Sequence, residues 1–255
     1  MKVAVVIPMY NAEKWIESCL ESLRTQTRKP DKIIIVDDGS TDKSIEVVEH
    51  YILNHNNDFP PDECDVLIEP SEKNEGIAVT RNKGIKIALE YNEVDYICFL
   101  SSDDRYEPTY IEDMLKIADS ETILYSAYSG IDENGKLMYN FVPPKFECYD
   151  DFILAVYASA IRNTMFINYS TTFFPAKLLK ENTFNESMGM CEDLDHLLRL
   201  SLVKRIKFNY TEKLLVKYMV HSGSTTSQRG TDIAKINKET FIRINNLMGA
   251  DIFEI

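Results

Sequence analysis

Three apolar runs, each ending in a polar turn, constrain this chain more than any other feature. Val3 to Ile7 has no polar alternation and stops at Pro8. A continuous β-branched run of that kind implies a strand covered on both faces. Lys32 to Val36 repeats the pattern and ends in Asp37-Asp38-Gly39-Ser40-Thr41-Asp42, and Tyr96 to Leu100 ends in Ser101-Ser102-Asp103-Asp104. Helical patterns lie between them. Trp15, Ile16, Cys19, Leu20 and Leu23 recur at helical spacing behind Asn11, read here as the N-cap, and Ile45, Val48 and Ile52 do so after the second run. Ile77 to Tyr91 is a further helix, introduced by Asn74-Glu75-Gly76 after a short strand at Val66 to Ile68. Gly84 falls on a face of it where only a small residue fits. Strand, polar turn and helix repeated at this spacing predict a parallel sheet wound by right-handed crossovers. The insert Asn54 to Asp65 is expected to be a surface loop.

Beyond Asp104 the pattern loosens. Thr122 to Tyr128 and Lys136 to Phe141 read as a hairpin around Asp132-Glu133-Asn134-Gly135. Thr171 to Phe174 is a strand, Arg205 to Tyr210 and Lys213 to Val220 a pair of strands, and Phe152 to Ile161 and Cys191 to Val203 are helices. Asp232 to Met248 is expected to be a last helix packed on the domain by its apolar stripe. The expected fold class is therefore α/β, with a mixed, mostly parallel central sheet flanked by helices in a single domain over residues 1–255.

Composition narrows the function classes. With 41 acidic against 28 basic residues the formal net charge is −13, which repels nucleic acid and anionic lipid unless a basic patch is concentrated somewhere, and the sequence has no such patch. The five cysteines are scattered and lack CxxC spacing, so they form neither a disulfide framework nor a zinc knuckle, and a reducing compartment follows. The apolar run at the start is too short for a signal peptide or a membrane span. A cytosolic protein is expected, with peripheral membrane contact left open.

The polar turns are where chemistry belongs, because open α/β sheets bind ligands in the crevice beyond their strand ends. Asp103 and Asp104 are candidates to hold a divalent metal or a polar cofactor. The competing reading is a strand-to-helix turn that caps a helix starting near Glu107-Pro108. Asp37-Asp38-Gly39-Ser40 is open to the same two readings. Arg81 offers fixed donors and a permanent charge, or is simply an exposed helix arginine.

Taken in order, Val5-Val6-Ile7-Pro8-Met9-Tyr10-Asn11, Ile35-Val36-Asp37-Asp38-Gly39-Ser40, Asn74-Glu75-Gly76 with Arg81-Asn82-Lys83-Gly84, Phe99-Leu100-Ser101-Ser102-Asp103-Asp104, Cys191-Glu192-Asp193-Leu194-Asp195 with Leu198-Arg199, and Tyr218 with His221 and Ser224 resemble the family 2 glycosyltransferases, whose nucleotide-sugar-binding fold is GT-A (Rossmann-like). The resemblance covers roughly residues 3 to 226. It implies donor binding by Pro8, Tyr10, Asn11, Asp38, Arg81, Ser101, Ser102 and Asp103. Asp38 would accept from the N3–H of uracil, and Tyr10 would stack on the base. Asp103 matches the last acid of the family's Asp-x-Asp motif, which binds Mn²⁺ or Mg²⁺ on the diphosphate. Ser101 stands in place of its first acid. Serine is a poorer metal ligand, and His221 is the candidate to compensate. Asp193 matches the catalytic base, which takes the acceptor hydroxyl proton in an inverting transfer.

The expected activity is thus an inverting glycosyltransferase moving a sugar from a nucleotide-sugar donor, first guess a UDP-sugar, to a glycan, lipid-linked or small-molecule hydroxyl. Residues 1–104 are expected to bind the donor, 105–228 the acceptor, and 229–255 to form the terminal helix, with Ser222 to Ser227 as a lid. A non-catalytic sugar-nucleotide-binding protein is the alternative from a different class. A sugar-1-phosphate nucleotidyltransferase is disfavoured, because Pro8-Met9-Tyr10-Asn11-Ala12-Glu13 is not a Gly-rich phosphate loop.

Overall fold

The computed structural model describes residues 1–59, 64–90, 94–146, 150–153, 155, 167–188, 192–223 and 242. The expected terminal helix, the lid beyond Gly223 and most of the Phe152 to Ile161 helix lie outside the described residues.

The first apolar runs become β1 (Val3–Met9), β2 (Lys32–Asp37), β3 (Asp65–Pro70) and β4 (Tyr96–Phe99), all parallel. Between them come α1 (Ile16–Arg24), α2 (Ser44–Asn54) and α3 (Ile77–Glu90). The second half adds β5 (Arg105–Tyr106), α4 (Tyr110–Lys116), β6 (Thr122–Ile131), β7 (Leu137–Phe141), a 3-10 turn (Tyr169–Thr171), β8 (Thr172–Pro175), α5 (Ala176–Glu181), α6 (Glu192–Lys204) and β9 (Lys207–Met219). One sheet holds every described strand, in the order β3-β2-β1-β4-β8-β6-β9-β5, with β7 paired to β6. β8 runs antiparallel to both its neighbours, β9 runs parallel to β6, and β5 and β7 pair antiparallel.

Alternation along the strands supplies both faces of the core. Val3, Val5, Ile7 and Met9 of β1 pack on one side with Ile16, Cys19 and Leu20 of α1. Ala4 and Val6 face the other, with Ala78 and Ile85 of α3 and Leu194 and Leu197 of α6. Gly84 lets α3 come down on β1, since a Cβ there would stand 2.3 Å from Cγ1 of Val6. The strand order reverses between β1 and β4. Their carboxyl ends open the crevice at this switch point, which puts the Pro8-to-Asn11 segment and the Ser101-to-Asp104 turn side by side.

Four expectations on local structure need correction. Asn11 does not cap α1. Its φ is 49°, Trp15 occupies the N-cap position, and the helix begins at Ile16. Asp103 and Asp104 do not cap a helix at Glu107 either, because β5 follows directly and α4 starts at Tyr110. The two strands expected between Arg205 and Val220 are a single strand, β9, whose register against β6 jumps from Ser126↔Thr211 to Ala127↔Leu214. Glu212 and Lys213 are therefore the extra residues of a bulge rather than a turn. The insert after α2 is not all surface, since Phe59 and Cys64 are buried.

Candidate functional site

The loops after β1 and β2 hold each other. Asn11 accepts from the Thr41 amide at 2.8 Å, and its own amide donates to the Ser40 hydroxyl at 2.9 Å. Its side-chain oxygen is thus spent on the neighbouring loop, while Tyr10 stands 47% exposed at the crevice mouth and Pro8 is buried in β1. Asp38, also buried, accepts from the amides of Glu75 at 2.7 Å and Gly76 at 3.0 Å. That bond pair shapes the loop leading into α3. Gly76 has φ 95°, a conformation that glycine adopts without the Cβ penalty.

After β4 the two carboxylates part ways. Asp103 reaches outward, and one of its oxygens lies 3.0 Å from Nε2 of His221, which arrives from the end of β9. The Trp15 ring sits 5.1 Å from the His221 ring. The hydrogen bond to Asp103 pushes the His221 pKa up. Asp104 points inward and is fully buried, accepting from the Ser170 hydroxyl at 2.6 Å and the Met219 amide at 2.9 Å. Burial, and then the charge of Asp103, hold its pKa well above the usual carboxylate range. The Ser101 hydroxyl lies 3.3 Å from the Ser170 hydroxyl, and the Ser101 amide donates to that same oxygen at 3.2 Å. Ser102 is half-buried beside them.

A second charged group lies at the start of α6. Asp193 is half-buried, and one of its oxygens accepts from the Leu194 amide at 2.7 Å. Beside it Glu192 is buried and paired with Nη1 of Arg81 at 2.5 Å. Burial and the Asp193 charge raise the Glu192 pKa, against the pull of Arg81. Arg81 is accordingly not an exposed helix arginine. It is 4% exposed, its guanidinium lies against the rings of both Tyr169 at 4.8 Å and Phe184 at 5.2 Å, and its Nε has no hydrogen-bond partner among the described residues.

Sequence reasoning overlooked His196. Its Nε2 faces the Asn182 carbonyl at 2.7 Å, so the proton sits there, and Nδ1 accepts from the Tyr169 hydroxyl at 2.6 Å. Burial depresses its pKa to about 3. The available signal was its place one helical turn after Asp193, on the same face. The 3-10 turn joins both groups: Tyr169 contacts Arg81 and His196, and Ser170 contacts Asp104. The structure thus brings Asp103 to His221 and Arg81 to the neighbour of Asp193, while Asp38 lies two strands from β4, about 10 Å away by strand spacing.

Asp103 and His221 suit a hard or borderline divalent ion such as Mg²⁺ or Mn²⁺. Such ions take one or two protein ligands and complete their shell with water and phosphate oxygens. Among the described residues no group of three or more His, Cys, Asp and Glu side chains gathers as a metal cluster, so the fit is to an ion that shares its shell with a substrate.

The family model described as "Glycosyl transferase family 2" matches residues 4–188. EpsH of Bacillus subtilis is 33% identical over 164 residues, covering 63% of this chain and 44% of EpsH, so the chain spans less than half of that relative. Staphylococcus aureus TarS 1-349 in complex with UDP-GlcNAc superposes with a TM-score of 0.71 at 22% identity, over 100% of this chain and 68% of that one. The mannosyltransferase PcManGT of Pyrobaculum calidifontis, in complex with GDP-Man and Mn²⁺, has a TM-score of 0.62 at 16% identity, over 89% of this chain and 59% of that one. At these identities the two structures establish a shared fold.

Proposed function

The chain belongs to glycosyl transferase family 2, and from that premise we propose that it transfers a sugar, with inversion, from a UDP-sugar to a hydroxyl of a glycan, lipid-linked or small-molecule acceptor. The observation that carries this reading is the meeting of Asp103 and His221 at 3.0 Å beyond the carboxyl end of β4. UDP-GlcNAc bound to TarS supports the choice of donor class.

In this reading Tyr10 receives the base, and Asp38, already fixed by the Glu75 and Gly76 amides, keeps lone pairs for a base N–H. Pro8, Asn11, Ser101 and Ser102 complete the donor contacts, with Asn11 acting through its backbone because its side chain holds Thr41. Arg81 contributes its fixed charge beside Glu192. Asp103 and His221 would hold Mn²⁺ or Mg²⁺, which neutralises charge on the departing diphosphate. Asp193 takes the acceptor proton as that oxygen attacks the anomeric carbon from the face opposite UDP. The new C–O bond forms as the bond to the phosphate oxygen breaks. Residues 1–104 supply the donor half and 105–228 the acceptor half. No helix among the described residues is long and apolar enough to cross a membrane.

The test is transfer and donor hydrolysis across a panel of nucleotide sugars, with and without Mn²⁺, with Asp193→Asn as the control. Loss of about 10²–10⁴-fold in kcat with UDP binding retained is expected for a general base. Turnover unchanged in Asp193→Asn would remove the base assignment, and failure to bind any nucleotide would remove the donor reading.

A further inference from the structure

We infer that Asp104 is a positioning residue whose buried carboxylate clamps the end of β9 to the β4–β5 turn and so sets the gap between Asp103 and His221. The inference rests on the proposed metal and diphosphate corner and adds the part that holds it together.

A carboxylate without solvent is costly to keep unless its oxygens are filled. Asp104 is 0% exposed, and no cation pairs with it among the described residues. Each oxygen has one neutral donor instead, the Ser170 hydroxyl at 2.6 Å and the Met219 amide at 2.9 Å. An apolar side chain would pack there at lower cost, so the bonds have to be explained by what they join. They tie together three segments distant in the chain: the turn after β4, the 3-10 turn before β8, and the last residue of β9. Each bond ends next to the proposed site. Asp103 directly precedes the clamp, and His221 follows Met219 by two residues, with Val220 between them held to the Ile131 carbonyl at 2.8 Å. The Met219 bond adds a tether from the β4–β5 turn to a segment that β6 holds on its other side, and that segment carries His221 to Asp103.

The same carboxylate also explains Ser101. Its hydroxyl is turned toward Ser170, which already donates to Asp104, so it belongs to the clamp's surroundings. Asp104 fixes the place of the ligands without being one of them, since its side chain is turned into the fold and 0% exposed.

Two variants test this, each read by thermal melting, by calorimetric titration of UDP with and without Mn²⁺, and by the ¹⁵N signals of the His221 ring in metal-free protein. Asp104→Asn keeps the shape but turns one of the two accepting oxygens into an NH2 donor. We expect it to fold, to bind UDP alone as the wild type does, to lose about 10-fold or more of the Mn²⁺-dependent gain in UDP affinity, and to shift the His221 signals toward those of a free imidazole. Ser170→Ala removes one donor and gives the same changes at about 3-fold. Wild-type Mn²⁺ response and wild-type His221 signals in both variants would overturn the inference. If Asp104→Asn does not fold, Ser170→Ala decides alone by the same readouts. A wild-type protein whose UDP affinity ignores Mn²⁺ would instead overturn the metal reading, and the His221 signals would still decide the clamp.

Discussion

Two Asp-Asp pairs stand at the carboxyl ends of parallel strands, and the fold treats them differently. After β2, Asp37 accepts from the amide and the hydroxyl of Ser40 and Asp38 from the amides of Glu75 and Gly76, so both acids tie down the loops beside them. After β4, Asp104 is sealed between a hydroxyl and a single amide, and its neighbour Asp103 is turned out to His221. The first pair shapes the loops beside it. The second divides the work, with one acid fixed inside the fold and the other presented at its edge. Identical dipeptides at equivalent strand ends take their roles from the donors that neighbouring segments bring to them.

The contrast breaks first at Asp103. Asp103→Ala should lower kcat/KM by about 10²–10³-fold while leaving the urea midpoint nearly unchanged, because the side chain stabilises charge more than structure. A large loss of stability with activity retained would make the two pairs alike. Asp38→Ala should lose stability as well as UDP binding. It strands two loop amides and should cost about 2–4 kcal/mol in urea unfolding, measurable before any assay of transfer. Stability intact with UDP binding lost would show Asp38 to be a ligand contact alone.

Acid separates the two regions further. His196, next to the turn that carries Ser170, has a folded pKa of about 3 against about 6.5 unfolded, so the unfolded chain takes up the proton first. Its contribution is present above pH 6.5 and is lost as pH falls from there toward 3, at up to about 1.4 kcal/mol per pH unit. His196→Gln should flatten that slope in denaturation curves recorded between pH 7 and 5. An unchanged slope would locate the acid sensitivity elsewhere. The smallest effect is expected at Ser101. Ser101→Asp should tighten Mn²⁺ by a few-fold, about 1 kcal/mol, and lower the melting temperature slightly by placing another acid beside Asp104. Unchanged Mn²⁺ dependence would show that this position never faces the ion.

Much of the molecule was legible in the sequence for one reason: strands buried on both faces leave uninterrupted apolar runs. Val3–Met9, Lys32–Asp37 and Tyr96–Phe99 announced themselves in this way, and the turns that follow them marked the crevice. The hairpin β6–β7 was equally plain from Asp132 to Gly135. α4 entered only as the helix near Glu107-Pro108 in the competing reading, and α5 was missed because a helix of 6 residues is too short to show a period. β9 was split in two because Thr211-Glu212-Lys213 is polar enough to imitate a turn. At the candidate site, the sequence singled out the carboxylates but not which way they faced. The inward turn of Asp104 depends on Ser170 and Met219, and the burial of Arg81 depends on Glu192, Tyr169 and Phe184, all distant in the chain. Such pairings leave no local pattern. The positive φ of Asn11 is the exception, since asparagine is among the few residues that tolerate it.

The place of β8 has a consequence for how the molecule is made. It lies between β4 and β6 although it follows both in the chain, bonded through Ile97↔Phe174 on one side and Leu124↔Phe173 on the other. Until synthesis reaches Pro175, β4 has an open edge of four residues that are all buried in the finished protein. Exposed apolar edges of this kind invite pairing with other chains, and non-local strand insertion is slow. In the interval before β8 docks, that edge is open to pairing with other chains. The same event delivers Ser170 to Asp104, so the binding crevice and the safety of the sheet edge arrive together.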